Sequence, residues 1–451
     1  MSQATIISLI IFAITYALML AFQKIRPHVA VASAVIFVIL GTTGAINGFS
    51  YSPLEALLQI DWNVLMMIAG TMGIVYLFIE SQMPQLISDV LISKVPDVRA
   101  AVIVLSLFAG IISAFVDNVA TVIMIAPVAL SFCKKLKISP VPSIICIAIS
   151  SNLQGAATLV GDTTSILLGK AANLDFSDFF WDDGRLGMFF VVEFGAIAAT
   201  LVIAWIFRKQ KQKIDIHERT KVTDKVPTVL LILAILSLIA VSFIPYKSNA
   251  AEGQFYKPDI TNGLICMFFF LVGLVREVIK SKSFNVVKKA FAEIDYYTII
   301  LLVGLFIVIG GISKAGVIDW LGTTISKAGG SSGSAFIVFT IIVWASVLLS
   351  AFVDNIPYTA TMLPVVAVIA ETLTAAGTPV NPKLLYYGLL VGATLGGNLT
   401  PIGASANIAG IGILRKEGYT VKSGEFMKYG IPITLAAVIT GYLMVWALWS
   451  H

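Results

Sequence analysis

Asp117 and Asp354 are the residues of this chain best placed to do chemistry, because each is a carboxylate in apolar sequence and each is followed by an amide, Asn118 and Asn355. They belong to one hexapeptide, SAFVDN, written at 113–118 and again at 350–355. An ionisable side chain inside a hydrophobic span is costly and by default marks a functional site. Desolvation neutralises such a carboxylate unless a cation or a helix N-terminus compensates it, so it can exchange a proton for a cation, the elementary step of antiport. The competing account is that each Asp only caps the helix that follows it. Asn118 and Asn355 add neutral amide ligands, and Na+ at Asp117, Asn118, Asp354 and Asn355 is the metal this pattern suggests.

Two further stretches carry polar atoms where aliphatic residues are expected: GAATLVGDTTS at 155–165 and GGNLTPIGASAN at 396–407. Gly and small hydroxyl residues let a helix unwind there, offering carbonyls and hydroxyls to Na+ and half-helix N-termini to anions. At an offset of 242, Thr158 meets Thr400, Gly161 meets Gly403, and Asp162 meets Ala404. The candidate binding residues are therefore Asp117, Asn118, Thr121, Thr158, Gly161, Asp162, Asp354, Asn355, Thr359, Thr400, Gly403, Ser405 and Asn407. The glycines alone also suit helix packing. Asp61 and Asp295 sit at span entrances and read as caps, while Glu193 and Glu371 are isolated. No Lys or Arg is expected mid-membrane away from a span end, so a multivalent anion would rely on helix dipoles or co-bound cations.

Composition dictates what must position these residues. The 451 residues are 58% hydrophobic and 12% charged, with a mean hydropathy of +0.94, against roughly 25% charged in a soluble domain. This is an all-α polytopic membrane protein, because apolar runs near the roughly 20 residues of a bilayer crossing recur throughout. Ile6 to Phe22 lacks a basic leader and a small-residue cleavage site and reads as a retained helix. Cys133, Cys146 and Cys266 show no paired spacing, and His28, His217 and His451 fall in loops or at the terminus. Carboxylates are thus the credible intramembrane proton carriers, no cofactor is called for beyond Na+ or H+ as coupling ion, and nucleic acid is not an expected partner.

In chain order, 1–60 holds N-terminal transmembrane helices. A first repeat at 61–207 contains a hairpin at 99–134 and a broken helix at 140–172. The charged segment 208–225 reads as a cytoplasmic linker, 226–294 as connecting helices with a basic loop, and 295–451 as a second repeat. That repeat has its hairpin at 334–373, after a GGSSGS connector, and its broken helix at 384–414. The hairpin segments are short for two full crossings and fit re-entrant loops, whose irregular tips are tolerated only when buried in protein or lining a watery cavity. The spans opening at Asp61 and Asp295 also echo each other, with a Gly nine residues on. Counting Lys24 and Arg26 in an inside loop, alternation of spans leaves 23 of 30 Lys and Arg residues inside. That asymmetry puts the N-terminus outside and makes the repeats inverted. Inverted repeats are a mark of secondary transporters.

At SAFVDNVATVIMIAPV, SNLQGAATLVGD, SAFVDNIPYTATMLPV and GATLGGNLTPIGASANIAG the chain resembles the ion transporter superfamily, in its ArsB/NhaD permease branch with the melanosomal P protein. It is more distantly similar to the divalent anion/sodium symporters. The resemblance runs from about Asp61 to the C-terminus. It implies an elevator-type transporter, a homodimer with a scaffold domain and a transport domain that carries hairpins and broken helices. Sodium-coupled dicarboxylate relatives have Ser-Asn-Thr at the tips, where this chain has Asp117, Asn118 and Val119, then Asp354, Asn355 and Ile356. That departure favours coupling through a carboxylate.

The expected activity is secondary active transport of a small ion by alternating access, as cation (Na+)/proton antiport, in a multi-pass plasma-membrane protein that is not an enzyme. The alternative on the same machinery is coupled movement of an anion or oxyanion, such as arsenite, antimonite or a carboxylate. An intramembrane aspartyl protease also uses two membrane Asp residues, and LVGD at Asp162 superficially matches its motif, yet nothing in that chemistry calls for a duplicated tip. A passive channel is the remaining reading.

Overall fold

The computed structural model describes residues 1–214, 219–222, 224–246, 254–328, 334–378 and 380–450. All of the GGSSGS connector except Ser334, and parts of the 208–225 linker, lie outside the described residues. The described chain is nearly all helix, with one short antiparallel ladder pairing Trp181–Asp182 with Arg185–Leu186. Nine helices among the described residues are long and apolar enough to cross a membrane. A helix satisfies its own N–H and C=O groups, which is what a solvent without hydrogen bonds demands. Outward faces are apolar as well: Ile197, Leu201 and Trp205 on Met188–Ile206, and Leu264 and Phe268 on Thr261–Ser281, are exposed.

Two helix pairs form a frame. Trp62–Glu80 packs along Thr261–Ser281, and Tyr296–Lys314 along Arg26–Thr43. Each crossing is close because a Gly stands at the same step of the two echoing helices. A Cβ on Gly70 would lie 2.5 Å from the Cys266 carbonyl carbon, and one on Gly304 would lie 2.7 Å from that of Ala30. Small residues at such crossings let backbones approach without a side chain between them. The Asp before each helix caps it, Asp61 accepting from Val64 N and Asp295 from Thr298 N, both at 3.0 Å.

Two helical hairpins and two interrupted helices pack beside this frame. The first hairpin joins Val98–Ser113 to Asn118–Lys135 and the second joins Ala335–Ser350 to Asn355–Ala375. The first interrupted helix runs Val141–Gly155, breaks, and resumes at Thr163–Ala171. The second runs Pro382–Leu390, loosens through a π turn at Val391–Leu395 and a 3-10 turn at Gly397–Leu399, and resumes at Ser405–Lys416. The last helix, Ser423–Trp449, starts before the apolar run at Ile431. Its polar first turns are held because Phe426 and Gly430 are buried, with a Cβ on Gly430 reaching within 2.7 Å of Asn398 O.

Candidate functional site

At both tips the Asp begins the second hairpin arm. Asp117 Oδ2 accepts from Ala120 N at 3.0 Å, and Asp354 Oδ1 accepts from Ile356 N at 3.3 Å. A helix start leaves N–H groups unpaired and carries partial positive charge, so it stabilises a carboxylate there.

The interrupted helices are pinned to these tips in matching ways. Thr158 Oγ1 donates to Ala114 O, and Thr400 Oγ1 donates to Ala351 O. A Cβ at Gly161 would lie 2.7 Å from Ser113 O and Ala114 O, and one at Gly403 would lie 2.7 Å from Ser350 O and 2.8 Å from Ala351 O. Only a residue without a side chain admits this approach. Asn407 Nδ2 reaches back to Thr400 O at 3.3 Å. Thr158, Gly161, Thr400, Gly403 and Asn407 thus hold backbone against backbone. Thr121 and Thr359 are buried on the second arms, and their hydroxyls make no hydrogen bond.

A continuous polar path connects the tips. Asn118 Nδ2 donates to Asn152 Oδ1 at 2.9 Å, and Asn152 Nδ2 to Thr394 O at 3.0 Å. Thr394 and Thr164 share a hydroxyl bond of 2.9 Å, Thr164 donates to Asp162 Oδ2 at 3.0 Å, and Asn355 Nδ2 donates to that same oxygen at 3.2 Å. Thr164 has one hydroxyl proton and gives it to Asp162, so Thr394 is the donor in their shared bond. All six side chains are buried. Asp162 also lies within electrostatic reach of both Asp117 and Asp354. Among the described residues no three His, Cys, Asp or Glu side chains cluster tightly enough to hold a metal ion. A cation here would complete its shell with carbonyl, amide and hydroxyl oxygens, as hard cations do.

The second tip carries a charge that the sequence reading placed elsewhere. Arg26, counted there with Lys24 as a loop residue that sets orientation, is the first residue of its helix and only 4% exposed. Its Nη1 contacts Asp354 Oδ2 at 3.3 Å, and Ser405 Oγ donates to the same oxygen at 3.0 Å. Asp117 instead lines a cavity of about 310 Å³ with Tyr76, Glu80, Glu293 and Asp295, at the end of Trp62–Glu80. A cavity of about 510 Å³ lies at the other end of that helix, lined by Asn63, Lys170, Asn173, Asp259 and Asn262.

Arg26, Asn152, Thr164 and Thr394 are the site residues that sequence reasoning missed. Asn152 and Thr394 had a signal, a polar residue in an apolar helix beside each Gly-rich break. Arg26 had none, because Lys24 and His28 flank it. The acidic loop after the first break is tied down by ion pairs, Lys257 to Asp175 at 2.6 Å and Lys383 to Asp182 and Asp183. Burial, with Asp182 and Asp175 adding to it, pushes Asp178 in that loop up to about 6.

Membrane-spanning helices around paired hairpins and interrupted helices define a membrane transporter. The chain belongs to the citrate transporter family, which matches residues 16–392. An uncharacterized transporter of Mycobacterium tuberculosis is 28% identical over 98% of both chains. The P protein of Homo sapiens is 26% identical over 77% of this chain and 49% of its own length. The superfamily resemblance seen in the motifs therefore stands. Among solved structures, the fold is shared with the Alcanivorax borkumensis YdaH transporter, at a TM-score of 0.58 and 12% identity over 99% of this chain and 98% of that one. Neisseria gonorrhoeae MtrF, described as illuminating a class of antimetabolite efflux pumps, follows at a TM-score of 0.54 and 14% identity over 92% and 94%.

Proposed function

We propose that this protein is a secondary active transporter that exchanges a cation, Na+ in the first instance, for protons by alternating access. The observation that carries this reading is the buried path from Asn118 to Asn355 through Asp162, which links the two tips. Of the three carboxylates at the tips and along the path, Asp117, Asp162 and Asp354, Asp354 is the one in contact with a guanidinium, that of Arg26, so the region has an excess of negative charge suited to a cation or to protons. The two cavities at opposite ends of Trp62–Glu80 support access from either side, with Asp117 open to one of them. The first arms of both hairpins have 16 residues, or roughly 24 Å at the helical rise, short of the roughly 30 Å hydrocarbon core. That length supports re-entrant first arms, while the second arms, Asn118–Lys135 and Asn355–Ala375, are long enough to cross; a transport domain moving against the frame, in a homodimer of the plasma membrane, is carried by the superfamily resemblance alone.

Proteoliposomes with imposed pH and Na+ gradients test the reading: Na+-dependent proton movement is expected, and none at any pH would refute it. A second reading, transport of a carboxylate anion, is favoured by the citrate named in the family's description and by the buried Arg26 beside Asp354. Uptake of labelled citrate and simple dicarboxylates in the same vesicles, without Na+-driven proton movement, would select it.

A further inference from the structure

We propose that Arg26 is a tethered counter-ion: it fills the cation position at Asp354 while the second tip is unloaded, and a transported cation must displace it. This inference rests on the cation-transport reading above.

Arg26 stands at the start of the frame helix Arg26–Thr43, where the helix dipole disfavours a positive charge. Being buried as well, it requires an anion, and Asp354 is the acid it contacts. Yet the pair is loose. A structural Arg–carboxylate pair is commonly a two-pronged fork with bonds of about 2.7–2.9 Å. Here one nitrogen contacts one oxygen at 3.3 Å, Nε is occupied by Met19 O at 3.0 Å, and the buried Nη2 makes no hydrogen bond. The oxygen that Arg26 uses is already shared with Ser405. A single long contact with an orphan donor beside it is easily exchanged, because an unmade bond already weakens the occupied state.

The contact also crosses from the frame to the moving part that the elevator reading requires. The N-terminal helix grips the second hairpin nearby, with Tyr16 donating to Pro357 O at 2.6 Å and also bonded to Thr361. Tyr297, which donates to Gln23 O, lies beside the guanidinium. The first tip has no such arrangement. At the offset that takes Asp61 to Asp295, Arg26 falls on Ile260, and Asp117 faces a cavity lined by Glu80, Glu293 and Asp295. One tip is open to an incoming cation, and the other already holds a built-in one.

Sodium binding to the purified full-length protein, measured by calorimetry at fixed pH, tests this. Arg26→Gln is expected to tighten Na+ binding by about tenfold, a single decade in the dissociation constant. Arg26→Lys, which keeps the charge but loses the Nε bond to Met19 O, is expected to tighten it by about threefold. The double variant Arg26→Gln/Asp354→Asn, which leaves no buried charge uncompensated at this tip, is expected to fold and to show no gain over Asp354→Asn alone. Wild-type Na+ binding that is unchanged or weakened in Arg26→Gln, or in Arg26→Lys if the former does not fold, overturns the inference. A gain in the double variant equal to that in Arg26→Gln also overturns it. Absence of Na+ binding and of Na+-driven proton movement in the wild type refutes the transport reading instead.

Discussion

Asn355 of the second tip donates to Asp162 of the first interrupted helix at 3.2 Å, so an amide from one half rests on a carboxylate from the other. Asp162→Asn keeps the volume and removes the charge on which Asn355 and Thr164 converge. It is expected to lower proteoliposome transport by about tenfold or more, roughly 1.4 kcal/mol of lost coupling. Transport at the wild-type rate in a correctly inserted protein would place Asp162 outside the coupling path.

Four of the helix-starting Asp residues, Asp61, Asp117, Asp295 and Asp354, should separate into two kinds. Asp117→Asn and Asp354→Asn are expected to impair transport. Asp61→Asn and Asp295→Asn, at frame helices that Val64 N and Thr298 N tie to their caps, should cost at most about 1 kcal/mol of stability and impair transport less, with the larger effect of the two at Asp295, which lines the cavity that Asp117 faces. Equal transport by all four variants would mean that the tips only cap helices.

Asn152 bonds two partners, Asn118 and the Thr394 carbonyl, in a fully buried position. Asn152→Leu strands both, and an unsatisfied buried polar group costs about 1–3 kcal/mol. A lowered melting temperature in detergent, with transport reduced at temperatures where the protein remains folded, is the expected result.

Gly161→Ala and Gly403→Ala put a methyl group against the carbonyls of Ser113 and Ala114, or of Ser350 and Ala351. Overpacking of this kind costs typically about 1–3 kcal/mol. Both variants should lose thermal stability, whereas Gly412→Ala, where a Cβ meets open space, should not.

Asp178 supplies a pH signature outside the spans. Burial raises its carboxyl from 3.8 to about 6, so the folded state favours the protonated form. Its stabilising contribution is complete below the unfolded value near 3.8 and is lost as pH rises through about 6. Asp178→Asn should therefore raise the melting temperature at pH 8 by about one degree, the effect of roughly 1 kcal/mol in a chain this long, and the gain should vanish below pH 4. An unchanged melting temperature at pH 8 would contradict the shift.

The membrane class and the superfamily were legible because both are written in local sequence. Apolar runs of spanning length recur, and SAFVDN returns with a Gly- and Thr-rich break after each copy. Gly70 and Gly304 were visible as a shared echo, and the structure gives that echo its reason, a close helix crossing. What the tips touch was not legible. Asn118 finds Asn152 only 34 positions on, but Thr394 and Asn355 come from the other half, and no periodicity in one segment announces a partner more than 190 residues away. Arg26 was misread for a different reason: a basic residue near a span end is ordinary evidence for sidedness, and its burial depends on a hairpin tip 328 positions later.

That separation bears on how the protein is made. Arg26 enters the bilayer with the second helix, and the ribosome must add more than three hundred residues before Asp354 exists. Until then the guanidinium has no anion to neutralise it, and a bare charge within a span is costly. The pairing of Arg26 with Asp354 can therefore form only after the second hairpin has been translated and has docked.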